Sequence, residues 1–444
     1  MGTKLARKLN TFDAALIVMG GIVGSGIFMT PSVVAAAART TPLILTAWCF
    51  GGIIALAGGF VFAELAWRRC DVRGMYGYIR DAFHPILAFM SGWTGLLVTQ
   101  TGGMAASAVT FAAYFTPLTG WHVSPAYVAI AAIVVLNAIN ALGVREGGTT
   151  QNILMLLKGG AIVGIIVAGL LGPHANGHAS LSLPPAGLGV LAALGTALIS
   201  VLFSYDGWQT TAYLDGELKN PRKSLPRALV FGVLGVVILY VLVTLAGLRM
   251  LGPAGLAAST TPASDMMRLV AGPLGARLVA IAIAVSTLGF LSNSVLTSPR
   301  IYYAMAEDGL FFKHFAWLHP KTRVPVYGLA VQCIVTVIIT LSGRYDQILS
   351  YVVSMDFFFL AVSGIALLIF RKRDGTAQPQ GIVVPGDPWV TIAFIGISFA
   401  IVAQSFAASP RETATGFAIL LSGAPIYFLW ARGAARRISA QPTH

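Results

Sequence analysis

Lys158, Asp206 and Asp356 fall inside stretches that are otherwise apolar, and two runs of residues in the chain cannot form continuous helix. A charge at membrane depth costs about 2.5–3.5 kcal/mol on insertion scales, so each such residue is read first as functional. The first run is Met19-Gly-Gly-Ile-Val-Gly-Ser-Gly-Ile-Phe28. Gly20, Gly21, Gly24 and Gly26 each cost roughly 1 kcal/mol against Ala inside a helix, which predicts a break. The second is Phe203-Ser-Tyr-Asp-Gly-Trp208. Unwound backbone is tolerated in lipid only where it is buried in protein or lines a watery cavity. Two breaks at corresponding positions of two halves point to a binding site near the bilayer midplane.

The chemistry available at each break differs in sign. Where helix restarts after Gly26, the first amides lack intrahelical partners and carry the positive end of the dipole, which suits a carboxylate. Ser25 adds a hydroxyl donor, and Gly26 lets a ligand approach closely. The same glycines also suit a plain helix-packing face, because Gly20 and Gly24 are four apart. At the second break the helix ends near Phe203, and its free carbonyls suit an ammonium group. A site offering both ends fits an α-amino acid. Phe203, Tyr205 and Trp208 would gate that site or line a side-chain pocket; for Trp208 alone, packing is the better reading. Asp206 serves either the site or, as a solvated carboxylate, the cap of the restarting helix.

Lys158 lies about ten residues into the fifth apolar segment. It either snorkels to the membrane surface or turns into the bundle, toward carbonyls near the first break and the hydroxyls of Ser286 and Thr287. A cation held there would substitute for a bound metal ion, and a buried amine could also release a proton during a cycle. Asp356 is assigned only a place in an outer vestibule. Glu64 and Glu217, at helix ends near basic loops, suggest salt-bridge latches or plain surface pairs.

The elements that must position these groups are membrane spans. Hydrophobic residues make up 56% of the 444-residue chain and charged residues 10%, with a mean hydropathy of +0.79. Soluble domains carry about 25% charged residues. Twelve apolar stretches are long enough to cross a bilayer, near 12–38, 43–67, 85–116, 124–143, 149–172, 188–214, 226–250, 273–299, 325–341, 346–370, 388–407 and 412–432. No cleavable signal peptide is expected. Lys and Arg concentrate in alternate loops, which puts both termini in the cytoplasm by the positive-inside rule. That distribution also accounts for the net charge of +13 without a nucleic-acid partner. The breaks divide the chain (one transmembrane domain, 1–444) into a first repeat over about 12–172 and an inverted second over about 188–370, followed by a helix pair over about 388–432.

Other classes find less support. The seven histidines fall in loops or at segment ends, and no metal-ligand spacing appears, so an embedded enzyme, a metal and a cofactor are not expected. Cys49, Cys70 and Cys333 make no disulfide framework. A channel expects a pore lined by rings of carbonyls or charges, which is not displayed. A sensor that binds without moving its ligand remains open on sequence alone.

Gly20 to Phe28 resembles the first-helix signature of the amino acid–polyamine–organocation superfamily of transporters. Phe203-Ser-Tyr-Asp-Gly-Trp208 with Asn220-Pro-Arg-Lys-Ser-Leu-Pro226 is similar to its L-type amino-acid-transporter branch. So are Ser298-Pro-Arg-Ile-Tyr-Tyr-Ala-Met-Ala-Glu-Asp-Gly309 and His319-Pro-Lys-Thr-Arg-Val-Pro325. The resemblance implies an all-α membrane protein with the five-plus-five inverted-repeat (LeuT-like) fold and two trailing helices. It implies secondary transport of amino acids by alternating access, in a cell membrane, with the lipid bilayer and an amino acid as the only required partners. The substrate carboxylate would meet Gly24, Ser25 and Gly26, and its amino group the carbonyls of Ile22, Phe203 and Asp206, with Ser204 beside them. Lys158 fits the helix-five lysine that replaces sodium, which implies sodium-independent exchange or proton-coupled uptake. Exchange of polyamines or amines on the same fold is the alternative. The loop Arg69-Cys-Asp-Val-Arg-Gly-Met-Tyr76 departs from the family pattern, with Cys70 and Arg73 where a Pro and a Gly are usual.

Overall fold

The computed structural model describes residues 10–24, 26–69, 74–120, 122–142, 147–172, 188–209, 220–320, 322, 324–342, 345–374 and 382–438. The expectations placed on Ser25, Cys70, Arg73 and Glu217 lie outside them. All regular elements among the described residues are helical. Seven helices are long and apolar enough to cross a membrane. A bent pair and four shorter apolar helices (Pro125–Ala141, Lys158–Leu171, Gly189–Tyr205 and Val326–Ser342) bring the spans to the twelve expected.

The first span is α1 (Thr11–Ile22) and α2 (Gly26–Ala38), bent by 44° at the glycine run. The second is α3 (Thr41–Arg68), started by Thr40 and a proline in its first turn. Its Gly51, Gly52 and Gly58 lie against Val201, Val237 and Trp208 at distances no side chain could share. A short helix α4 (Gly74–Ala82) leads to the third span, α5 (Pro85–Thr94) and α6 (Gln100–Thr119), joined by a π-helical turn over Gly95–Thr99. Such turns inside α-helices gather at functional sites. The fourth and fifth spans are α7 (Pro125–Ala141) and α8 (Gly147–Leu171).

The sixth span begins with α9 (Leu188–Tyr205), which stops at Asp206 and Gly207. Then come α10 (Pro221–Ala258) and α11 (Pro262–Glu307), each kinked at a glycine with positive φ, Gly252 and Gly272. The remaining spans are α12 (Val326–Ser342), α13 (Tyr345–Asp374), α14 (Trp389–Ala408) and α15 (Pro410–Ile438).

The halves interleave. α1 runs along α10, and α3 along α9; α8 packs on α11, and α13 on α6. α6 meets α11, α3 meets α10, and α7 meets α12. Exchanging each span of the first five with its counterpart in the second five turns this set of pairs into itself. At one end of the bundle Glu64, fully buried, accepts from Arg68 Nε (2.9 Å), Arg371 Nε (2.8 Å) and the Val384 amide (3.0 Å). Arg371 also reaches Asp387, and Asp374 bridges Arg68 and Arg69 at 3.0 and 2.7 Å.

Candidate functional site

The two breaks touch. Gly207 adopts φ +111°, and a Cβ there would lie 2.3 Å from the Gly21 carbonyl oxygen, so only glycine lets the second break rest on the first. Gly26 packs as closely on the other helix, where a Cβ would meet the Ser204 Cα at 2.7 Å. The glycine run therefore does both jobs left open by its sequence: it interrupts the helix, and it packs α2 on α9.

A cavity of about 70 Å³ opens at this junction. Gly21, Ile22, Gly24 and Gly26 line it from the first span, and Phe203, Asp206, Gly207 and Gln209 from the sixth. The third span adds Thr99, Gln100, Gly103 and Ser107, the eighth Phe290, Asn293, Ser294 and Thr297, and the tenth Val352 and Asp356. The wall opposite the breaks is thus mainly polar. Gln100 is fixed across the cavity, its side-chain oxygen accepting from Ser298 Oγ at 3.0 Å. Asp206 Oδ1 accepts from Gln209 Nε2 at 2.7 Å, and Gln209 Oε1 takes the Gly207 amide at 3.1 Å. Asp356, only 7% exposed, lines the same cavity as Asp206 and Thr99.

The expected residues divide into two groups. Ile22, Gly24, Gly26, Phe203 and Asp206 line the cavity, and Ser204, Tyr205 and Trp208 do not. Ser204 Oγ donates to the Ser200 carbonyl at 3.2 Å, and Tyr205 donates to the Trp48 carbonyl at 3.2 Å while stacking on Tyr240. Trp208 packs edge-on to Phe62, as the packing reading has it. Two backbone acceptors have partners: Ile22 O takes the Gly24 amide at 2.7 Å and the Tyr240 hydroxyl at 3.2 Å, and Phe203 O takes the Asp206 amide at 3.3 Å.

Lys158 turns into the bundle and does not snorkel. It is 5% exposed, and its Nζ donates to the Gly20 carbonyl at 3.3 Å. The ammonium also lies 5.8 Å from the ring centre of Phe290, the side chain that covers Gly24 and lines the cavity. Ser286 and Thr287 are buried on α11, which packs on α8. Thr287 donates within its own helix to Ile283 and Ala284, and Ser286 Oγ finds no partner. Among the described residues no cluster of His, Cys, Asp or Glu could hold a metal ion, and Cys49 and Cys333 are free thiols.

The remaining walls come from the third, eighth and tenth spans. Their residues carry a signal all the same. Gln100, Gly103 and Ser107, and Phe290, Asn293, Ser294 and Thr297, recur at three, four and seven residues, which puts each set on one helix face. Polar stripes on apolar helices face the bundle interior.

The family described as amino acid permease matches residues 9–430. The serine/threonine exchanger SteT of Bacillus subtilis is 30% identical over 428 residues, covering 96% of this chain and 97% of that protein. The b(0,+)-type amino acid transporter 1 of Mus musculus is 28% identical, covering 99% of this chain and 92% of its own length. The large neutral amino acids transporter small subunit 2 of Homo sapiens is 28% identical, with coverages of 96% and 81%. These are transporters, not enzymes. A bent first span that meets the end of α9 at a small cavity, in a sequence matching one family almost from end to end, makes this chain an integral membrane protein of the amino acid permease family that carries amino acids across the bilayer.

Proposed function

We propose that the chain is a sodium-independent carrier of small polar amino acids working by alternating access. The observation that carries this reading is the cavity at the meeting of the two breaks. One water needs about 10–15 Å³ by the same kind of measure. The cavity of about 70 Å³ therefore matches a molecule the size of serine or threonine better than one with a long or aromatic side chain. Hydroxyl and amide groups of Thr99, Gln100, Asn293, Ser294 and Thr297 suit a polar side chain. The serine/threonine exchanger among the relatives supports the same class.

The substrate carboxylate would meet the start of α2 at Gly24, Ser25 and Gly26, where the Gly24 amide now donates to the Ile22 carbonyl at 2.7 Å, and the ammonium would meet the acceptors around Ile22, Phe203 and Asp206. Lys158, on the Gly20 carbonyl, would place its amine behind the first break, which supports sodium independence. The interchange of helix pairs described above supports two inverted repeats of five spans, with α14 and α15 outside them. Both termini would face the cytoplasm. The chain would work without a protein partner, a cofactor or a metal.

Uptake into proteoliposomes holding the purified chain alone tests this. Twenty amino acids are compared with and without sodium, a pH gradient and internal counter-substrate. Serine or threonine uptake that is unchanged when sodium is removed is the expected result. Uptake requiring sodium would overturn the role of Lys158, and no uptake of any amino acid would overturn the whole reading.

A second reading has one observation in its favour. Two carboxyls, Asp206 and Asp356, line the cavity, as an amine substrate without a carboxylate would require. Competition between serine and its decarboxylated amine, ethanolamine, separates the two, and only the second reading expects ethanolamine to win.

A further inference from the structure

A second cavity, of about 400 Å³, stands at the opposite end of the bundle from the Glu64 cluster. α13 lends Ser350 to the cavity and Arg371 to the cluster, about 30 Å apart at about 1.5 Å per residue. With both termini in the cytoplasm, this end faces outward. We propose that the cavity is a second amino-acid site, where Arg411 and Glu412 hold a zwitterion before it moves on to the central cavity. This rests on the amino-acid reading above.

Arg411 and Glu412 are neighbours in the first turn of α15, and both line the cavity. Neither side chain has an ion-pair or hydrogen-bond partner among the described residues. The carboxylates of Glu64, Asp308 and Asp374, by contrast, are each held by an arginine. Glu412 suits the positive end of the helix dipole, but Arg411 opposes it, so helix stability gives no account of a guanidinium there. A ligand carboxylate does, because the guanidinium fork takes one through two parallel hydrogen bonds. The adjacent Glu412 then takes the ammonium of the same molecule. A simple cation or a simple anion would leave one of the two charges without a partner.

The cavity wall carries a second sign of a polar ligand. Ser200 is 7% exposed, and its hydroxyl has no hydrogen-bond partner among the described residues. Thr196, one turn earlier on α9, bonds the Ala192 carbonyl at 3.0 Å. A buried hydroxyl left without a partner is costly, and a polar group arriving in the cavity removes that cost. One water needs about 10–15 Å³, so a cavity of about 400 Å³ holds an amino acid together with several waters.

The site also lies on a route to the central cavity. α9 gives Ser200 to the outer cavity and Phe203 to the central one. In the same way α13 gives Ser350 and Val352, and α2 gives Val33 and Gly26. Three helices therefore line both cavities, one to two turns apart. Ser350 and Ser409 share a hydrogen bond of 3.1 Å, which ties α13 to the turn between α14 and α15. The two trailing helices, outside the proposed repeats, thus close the outer wall and supply both charges.

Equilibrium binding of radiolabelled L-serine to the purified full-length protein counts the sites. Two serines per chain are expected, the second weaker because Arg411 is exposed and solvent screens its charge. The double variant Arg411→Gln, Glu412→Gln is expected to bind one, with the affinity of the first serine within about twofold of the unaltered chain. Its melting temperature should not change, since neither side chain holds another part of the fold. Ethanolamine and 3-hydroxypropionate each lack one charged group of serine, and each should displace the second serine at least about tenfold less well than serine does. One serine per unaltered chain at saturation overturns the proposal and leaves the amino-acid reading standing. Two serines bound by the double variant also overturn it. If none of twenty amino acids binds, the amino-acid reading fails first and takes this one with it.

Discussion

Lys158 spends one of its three N–H groups on Gly20, and that contact ties the fifth span to the first break. An uncharged side chain of similar length would keep the packing and lose the charge. Lys158→Met is therefore expected to purify as a folded, monodisperse protein whose uptake falls at least about tenfold. Uptake by Lys158→Ala equal to that of the unaltered chain across pH 5 to 8 would remove the role. The glycines divide by what a methyl group would meet. At Gly207 it would strike Gly21 O at 2.3 Å in a backbone conformation that L residues rarely adopt. Backbone strain alone costs about 1–3 kcal/mol there, so Gly207→Ala is expected to lower the melting temperature and abolish transport together. Gly103 lines the same cavity, and a Cβ there meets nothing within 4 Å. Gly103→Ala should leave the melting temperature unchanged and raise the KM for serine, because the added methyl occupies substrate space. Equal effects of the two substitutions on stability would contradict this placement.

Between elements, the strongest polar link is the buried Glu64 carboxylate of α3, gripped by Arg68 and by Arg371 of α13. The sequence offered Glu64 as a latch or a surface pair; full burial decides for the latch. Removing one partner of a buried ion pair typically costs about 3–5 kcal/mol, because the other charge is left unpaired. Glu64→Gln is expected to destabilise the protein on that scale in a thermal or denaturant melt. A loss under about 1 kcal/mol would place the pair among weak surface bridges. A second cluster joins α4 to the end of α11. Arg80 reaches Asp308 at 2.6 Å, and the Tyr76 hydroxyl donates to Asp308 at 3.2 Å. Burial, and then the charge of Asp308, push the Tyr76 phenol above its ordinary value. Its stabilising contribution is thus complete below the usual tyrosine range and is lost only as pH climbs past the raised value. Pairing with Asp81 and Asp308 outweighs desolvation and raises Arg80 as well. The Tyr76 phenol and the Arg80 guanidinium, both raised, therefore contribute no pH dependence between 5 and 8.

For the whole molecule, the charge asymmetry of the loops predicts an orientation that can be tested directly. An epitope placed after His444 is expected to be inaccessible to antibody in intact cells and accessible once they are permeabilised; the reverse would invert the topology. The chain's own residues determined twelve spans and two interruptions, because a stretch's affinity for lipid and the helical cost of clustered glycines are local properties. They also located Asp206, since the motif holding it is contiguous. Local chemistry does not say which way a side chain turns about its helix. Tyr205 and Trp208 sit in the same motif as Asp206, yet they pack on Trp48 and Phe62, away from the cavity. Asp356 stands 150 residues further along, and it shares the cavity with Asp206 only because α13 packs against α9. Contacts between distant spans depend on helix rotation and crossing, and those are fixed by close packing of the assembled bundle.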